Sequence, residues 1–161
     1  MQIIDRIYVH LILRVQNGQP DILPQWQNIM IEFIRSHMKH HEQAPIEINA
    51  HRDHLHVLAR LNVNTPVEEM IAMIKTGSKH FAQFQSEACS IAWSDEYICL
   101  SVGGFELEDV ARHVRKQDQI HEHKTLSQEI SDLLDQTEAD VPIGLLNECG
   151  FLISPQDYSL N

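Results

Sequence analysis

Two imidazoles stand one residue apart in His54-Leu55-His56. On a β-strand, residues i and i+2 project to the same face, so both rings can converge on one cation while Leu55 turns into a core. Two histidines do not close a metal site. A further ligand must come from another element, with water or substrate oxygen completing the shell. His51 can join the pair if the turn before His54 brings it to the same face. A second set, His113, Gln117 and His121, is spaced i, i+4, i+8 and lies on one helical stripe beside Val110 and Val114. His37, His40 and His41 fall where a helix closes, and cationic side chains suit its carbonyl end. His10 and His80 read as ordinary structural histidines. Ser101, Cys89, Cys99 and Cys149 have no base beside them in sequence, which gives nucleophilic hydrolase chemistry no positive support.

These residues need elements to hold them. Residues 3–15, IIDRIYVHLILRV, are apolar and β-branched and predict a strand, followed by a turn at NGQPD, 17–21. From Leu23 to about His41, Trp26, Ile29, Met30, Phe33, Ile34 and Met38 recur at three- and four-residue steps, which predicts an amphipathic helix. PIEINAH (45–51) and HLHVLARLN (54–62) predict a hairpin. Thr65-Pro66-Val67-Glu68 has the form of a capping box with Pro at the first helical position. It opens a helix with Val67, Met70, Ile71, Ile74 and Phe81 inward. IAWSDEYICLSV (91–102) predicts a strand broken by Gly103-Gly104. A third helix is expected from Glu106 to about His123, and a short fourth one, capped by Thr125 to Gln128, to about Leu134. The order β-α-β-β-α-β-α implies an α+β fold: an antiparallel sheet with helices packed on one face, a ferredoxin-like or RRM-like sandwich.

The chain has 161 residues, which suits one domain with a substantial core. With 43% hydrophobic and 22% charged residues it has a globular rather than disordered composition. No apolar run is long enough to span a bilayer, and the N-terminus lacks the basic-then-apolar pattern of a secretion signal. Three cysteines in no metal-like spacing read as reduced thiols, hence a cytoplasmic protein. Twelve Lys and Arg against 23 Asp and Glu give a net charge of −11, which argues against an indiscriminate nucleic-acid binder. The acid is concentrated after Lys124, where Glu129, Asp132, Asp135, Glu138, Asp140, Glu148 and Asp157 face no Lys or Arg. Residues 1–135 are therefore expected to form one domain and 136–161 an acidic C-terminal tail.

The string Asp53-His54-Leu55-His56-Val57-Leu58 resembles the HUH motif (histidine, hydrophobic residue, histidine) of the small single-tyrosine transposases of the insertion-sequence and REP-associated type. Tyr8-Val9-His10-Leu11 is similar to that family's first strand, and Ile74-Lys75 with Ser78 and Phe81 to its second helix. Trp93, Tyr97 and Ser101-Val102 resemble its W-x-x-x-Y…S-V stretch. His113 to Gln117, with His121 and Thr125 to Glu129, follows its Tyr-Ile-x-x-Gln helix and sequel. The match runs in order across about residues 3–135.

The resemblance implies a homodimer that binds single-stranded hairpin DNA and takes part in DNA transposition. It implies Mg²⁺ or Mn²⁺ held by His54, His56 and Gln117, and DNA contacts from Lys75, Ser78, Lys79, Arg112, Arg115 and Lys116. Neutral imidazoles and an amide oxygen leave such an ion open positions for phosphate oxygens. The family's nucleophilic tyrosine position is occupied by His113, and the tyrosines of this chain, Tyr8, Tyr97 and Tyr158, lie elsewhere. A phenol forms a storable phosphodiester, whereas an imidazole would form a labile phosphoramidate or serve as another metal ligand. Lost or impaired strand cleavage is therefore expected. Two alternatives stay open: a non-catalytic dimeric DNA-binding scaffold or regulator, and a metal-assisted nucleotide or phosphodiester hydrolase. Against the latter, the position after His54 and His56 that a histidine triad would fill is Leu58.

Overall fold

The computed structural model describes residues 4–16, 22–85 and 91–136; the turn expected at 17–21 and nearly all of the acidic tail lie outside them. Four strands form one antiparallel sheet: β1 (Tyr8–Val15), β2 (Ala44–Ala50), β3 (His54–Arg60) and β4 (Trp93–Val102), in the order β2-β3-β1-β4. The expected hairpin is β2-β3, with Ile48 opposite Val57 and Ala50 opposite Leu55. Strand β1 is central, pairing Ile12 with His56 on one side and with Ile98 on the other.

Alternation along these strands builds two cores. Val9, Leu11, Leu13 and Val15 of β1 join Leu55, Val57 and Ala59 of β3 on one face. Helices α1 (Pro24–His40) and α2 (Val67–Gln85) cover that face with Met30, Ile34, Met38, Met70, Ile74 and Phe81. Leu11, Leu13, Leu55 and Ile74 are fully buried, and each such side chain contributes roughly 1.5–3 kcal/mol relative to exposure. On the other face, Leu58 and Val102 pack with Ala111 and Val114 of helix α3 (Leu107–Arg115).

Local chemistry sets the boundaries. Pro24 opens α1, where its missing N–H costs nothing. Thr65 does not use its hydroxyl as a simple cap for α2; its Oγ1 accepts a 3.2 Å bond from Gln43 Nε2. The turn after β4 is closed by Gly103 N–H donating to Glu106 Oε2 at 3.0 Å, and a Cβ at Gly103 would meet that oxygen at 2.8 Å.

One long helix was expected from Glu106 to about His123. Instead α3 stops at Arg115, Lys116 leaves helical geometry (φ −96°, ψ 20°), and α4 (Gln117–His121) begins. The apolar stripe carried by Val110 and Val114 ends at that point, so little burial rewards continuing the same helix. The first strand likewise starts at Tyr8, and the described residues before it are not in a strand.

The chain divides into two compact units, residues 1–117 and 118–161. In the second unit α5 (Leu126–Gln136) opens with a reciprocal cap. Thr125 N–H donates to Gln128 Oε1 at 2.9 Å, and Gln128 N–H donates to Thr125 Oγ1 at 3.3 Å. His121 Nε2 lies 3.0 Å from Glu129 Oε2 within the same unit. Among the described residues no helix is long and apolar enough to cross a membrane.

Candidate metal centre

Strand β3 sends His54 and His56 to the face opposite Leu55 and Val57, and both histidines are fully buried. Their ring centroids are 5.0 Å apart. The third group comes from just beyond α3: Gln117, the first residue of α4 and also fully buried, places Oε1 3.0 Å from His54 Nε2.

Two contacts position this glutamine. Asn49 of β2 donates from Nδ2 to the Arg115 carbonyl at 3.1 Å, and Arg115 Nε donates to Glu47 Oε2 at 2.8 Å. Asn49 lies opposite His56 in the ladder, so the strand beside the histidines holds the last turn of α3. Glu108 also pairs with Arg115, and the hydrogen bonds from Arg115 to Glu108 and, to a lesser degree, to Glu47 raise the guanidinium's pKa.

Each histidine has a partner on its other nitrogen. Asp53 Oδ1 lies 2.7 Å from His54 Nδ1, and that hydrogen bond lowers the Asp53 pKa from 3.8 to about 2. An ionised carboxylate can only accept, so Nδ1 carries the proton and donates. His56 Nδ1 lies 2.8 Å from Nε2 of His10 on β1. Such outer partners fix the ring orientation and tautomer of metal-binding histidines.

The donor chemistry fits a cation. With the His54 proton on Nδ1, Nε2 presents a lone pair. Gln117 Nε2 approaches the His113 carbonyl at 3.5 Å. His54 Nε2 and Gln117 Oε1 lie 3.0 Å apart, a ring nitrogen and an amide oxygen close enough to share one cation. His51, Asp53 and His54 also form a group whose ligand atoms lie within 4.8 Å of one another, so this His/Asp cluster can chelate a divalent metal. The β2-β3 turn does bring His51 to the side of His54.

The remaining expected site residues distribute as follows. His113 is half-buried, with its ring 6.1 Å from that of His56 and 6.2 Å from that of His10. Arg112, Arg115 and Lys116 lie on the last turn of α3 and just beyond it, on the sheet face of the histidines, and Arg112 pairs with Asp109. Lys75, Ser78 and Lys79 lie on α2, which covers the opposite face. Lys75 Nζ donates to the Ser94 carbonyl at 2.6 Å, and burial lowers its pKa, with Lys79 adding to the effect and Asp95 opposing it. Ser78 is fully buried; its hydroxyl accepts from Trp93 Nε1 and donates to the Ile74 carbonyl, each at 2.8 Å. Lys75 and Ser78 are thus engaged at the junction of α2 and β4, while Lys79 is exposed.

Sequence reading passed over two members of the site. From sequence alone His10 reads as an ordinary structural histidine, and Asp53 only as the residue before the histidine pair. Their signals were an acid directly before the histidine pair and a histidine on a neighbouring strand, where pairing register decides which rings meet.

Comparisons with known proteins agree with this architecture. The solved structure of a protein designated a transposase in Deinococcus radiodurans R1 superposes with a TM-score of 0.54 at 12% identity, covering 73% of this chain and 95% of that one. A REP-associated tyrosine transposase bound to a REP hairpin superposes with a TM-score of 0.56 at 10% identity, covering 75% and 72%. At such identities the likeness is one of fold. A search of functionally curated proteins found no match. The sequence profile of the family described as "Transposase IS200 like" matches residues 3–117, which hold the four strands and α3 and end on Gln117, so this chain belongs to the IS200-like transposase family.

Proposed function

We propose that the chain binds single-stranded hairpin DNA on the α3 face of its sheet, with a divalent cation held by His54, His56 and Gln117, and that strand cleavage is lost or impaired. The observation that carries this reading is the opposition of His54 Nε2 and Gln117 Oε1 at 3.0 Å, with the other nitrogen of His54 already committed to Asp53. When bound, Mg²⁺ or Mn²⁺ would polarise a phosphate oxygen and hold the backbone in place. The protein's own groups orient the site: Asp53 and His10 set the two rings, and Asn49 and Glu47 set the helix end that delivers Gln117. Arg112, Arg115 and Lys116 supply positive charge beside it for neighbouring phosphates, whereas Lys75, Ser78 and Lys79 lie on the opposite side of the sheet.

The impairment follows from His113. Among the described residues the tyrosines are Tyr8, packed with Leu58 and Val102, and Tyr97, packed with the α1–α2 core; neither is on α3. The relative of similar fold whose structure holds a REP hairpin supports the choice of DNA, and the homodimer that the resemblance to single-tyrosine transposases implies is proposed with it.

The test is a calorimetric Mn²⁺ titration of the full chain and of His54→Ala, each with and without a DNA hairpin. One ion per chain that vanishes in the variant is the expected result. Absence of specific binding under both conditions would overturn the metal assignment. Hairpin affinity unchanged in His54→Ala and without metal would favour the non-catalytic scaffold.

A further inference from the structure

We propose that His113 is a third imidazole ligand, and that the centre therefore takes a borderline transition-metal cation of the zinc, cobalt or nickel class in preference to magnesium. The inference rests on the reading that His54 and His56 hold an ion, and adds which ion and by what extra residue.

The placement of His113 carries it. His113 of α3 and Gln117, which opens α4 just past the break at Lys116, both reach the histidine face of the sheet: the His113 ring lies 6.1 Å from that of His56, and Gln117 Oε1 3.0 Å from His54 Nε2. Its ring meets those of His56 and His10 edge-on rather than stacked on either. Ligand nitrogens of His56 and His113 lie within 4.8 Å of each other. A tetrahedral zinc site with bonds of about 2.1 Å separates two nitrogens by about 3.4 Å, so side-chain movement on the order of 1 Å joins them. His113 has room for that movement, being half-buried where His54 and His56 are fully buried. His10, bonded to His56 Nδ1, directs Nε2 of His56 to the ion.

The donor chemistry then selects the metal. Within residues 1–117 the assembled ligands are three imidazole nitrogens and one amide oxygen, all neutral. Asp53 acts through His54, with its carboxylate spent on Nδ1. Magnesium demands oxygen ligands and gains little from imidazole, whereas zinc, nickel and cobalt bind nitrogen sites with affinities that rise along the divalent series. A tyrosine at residue 113 would leave two imidazoles and a mixed site open to harder ions. A histidine there exchanges a nucleophile for a nitrogen ligand, which gives the substitution a chemical consequence beyond the loss of cleavage.

The experiment compares Zn²⁺, Co²⁺, Mn²⁺ and Mg²⁺ binding to the full chain, to His113→Ala and to His54→Ala by competition calorimetry, with Co²⁺ absorption as a second readout. The intact chain should bind one Zn²⁺ at least a thousandfold more tightly than Mg²⁺. His113→Ala should lose about tenfold or more in Zn²⁺ affinity and change the visible Co²⁺ spectrum, while its Mn²⁺ affinity moves less. Zn²⁺ affinity within threefold of the intact chain, with an unaltered Co²⁺ spectrum, overturns the role of His113 and leaves the two-histidine site standing. Zn²⁺ binding that survives in His54→Ala overturns the underlying site itself. Circular dichroism confirms that each variant is folded. If His113→Ala is not, His113→Gln keeps the bulk of the side chain, removes the imidazole, and is judged by the same two readouts.

Discussion

Asp53 accepts a 2.7 Å hydrogen bond from Nδ1 of His54, the residue that follows it, and this bond decides which nitrogen of His54 faces Gln117. Replacing Asp53 by Ala frees the ring to rotate and to change tautomer while leaving His54, His56 and Gln117 in place. Loss of such an outer partner typically costs about 10- to 100-fold in metal affinity. Asp53→Ala is therefore expected to weaken Mn²⁺ or Zn²⁺ binding by that factor in calorimetry, with a stoichiometry still near one. Unchanged affinity would show that His54 keeps its orientation without the carboxylate.

The anchoring of α3 gives a second expectation. Asn49 Nδ2 donates to the Arg115 carbonyl beside the helix end, and Gln117 follows two residues later. Asn49→Ala removes a hydrogen bond worth about 0.5–1.5 kcal/mol and loosens the turn that delivers the glutamine. Urea denaturation should show a loss within that range, and metal affinity should fall with it. A stability loss with no change in affinity would mean that Gln117 is held by other contacts.

The sequence announced some parts of this centre more clearly than others. His54 and His56 were legible because a strand's two-residue period forces both rings to one face, and Gln117 because its spacing from His113 is a helical turn. The fold was legible for similar reasons: Leu11, Leu13, Leu55 and Val57 alternate with residues of the other face, and α1 and α2 carry apolar stripes at helical spacing. His10 was not legible. Its meeting with His56 depends on β1 pairing Ile12 with His56, a register that no local pattern displays. The break at Lys116 was missed because charged residues on both sides extend a helical pattern without any buried stripe to reward it.

Gly77 marks a close approach of α2 to α1. A Cβ there would lie 2.7 Å from His37 Cδ2, and His37 is hemmed in by Phe33, stacked at 5.9 Å, and His41 at 4.7 Å. Ala is favoured over Gly in a helix by about 1 kcal/mol, while overpacking costs typically 1–3 kcal/mol. Gly77→Ala should therefore be net destabilising by about 1 kcal/mol in the native background. In a His37→Ala background the clash is gone, and the same change should stabilise by up to about 1 kcal/mol. A cycle in which Gly77→Ala has the same effect in both backgrounds would refute the contact.

The same histidine gives the protein an acid sensitivity whose sign is fixed. Burial, then the neighbouring His41, His40 and His80, lowers the His37 pKa below its ordinary 6.5. Below that value the unfolded chain takes up a proton that the folded chain resists, so stability falls as pH drops from about 6.5 toward the lower folded value. Asp53 acts in a separate window: depressed from 3.8 to about 2, it contributes above pH 3.8 and is lost as pH falls toward 2. Urea midpoints at pH 7.5 and 5.5 isolate the first effect. The drop should be smaller in His37→Gln than in the native chain, and an equal drop in both would assign the sensitivity to other groups.

Restoring the family's nucleophile tests how much of the machinery surrounds the missing phenol. His113→Tyr places a hydroxyl on α3 four residues before Gln117, beside His56 and His10. With Mn²⁺ and a cognate hairpin, the variant is expected to yield a covalent protein–DNA adduct that survives acid and denaturing electrophoresis, where the native chain yields no acid-stable adduct. The phenol's attack would form a phosphotyrosine bond and expel a 3′-hydroxyl, so the adduct and the released strand should appear in equal amounts. Imidazole attack in the native chain would instead leave a phosphoramidate, which acid treatment destroys while the phosphotyrosine product survives it. Hairpin binding without adduct in His113→Tyr would mean that the geometry around Gln117 and the two histidines no longer presents a phosphate in line with this helix position, and that the departure from the family extends beyond one side chain.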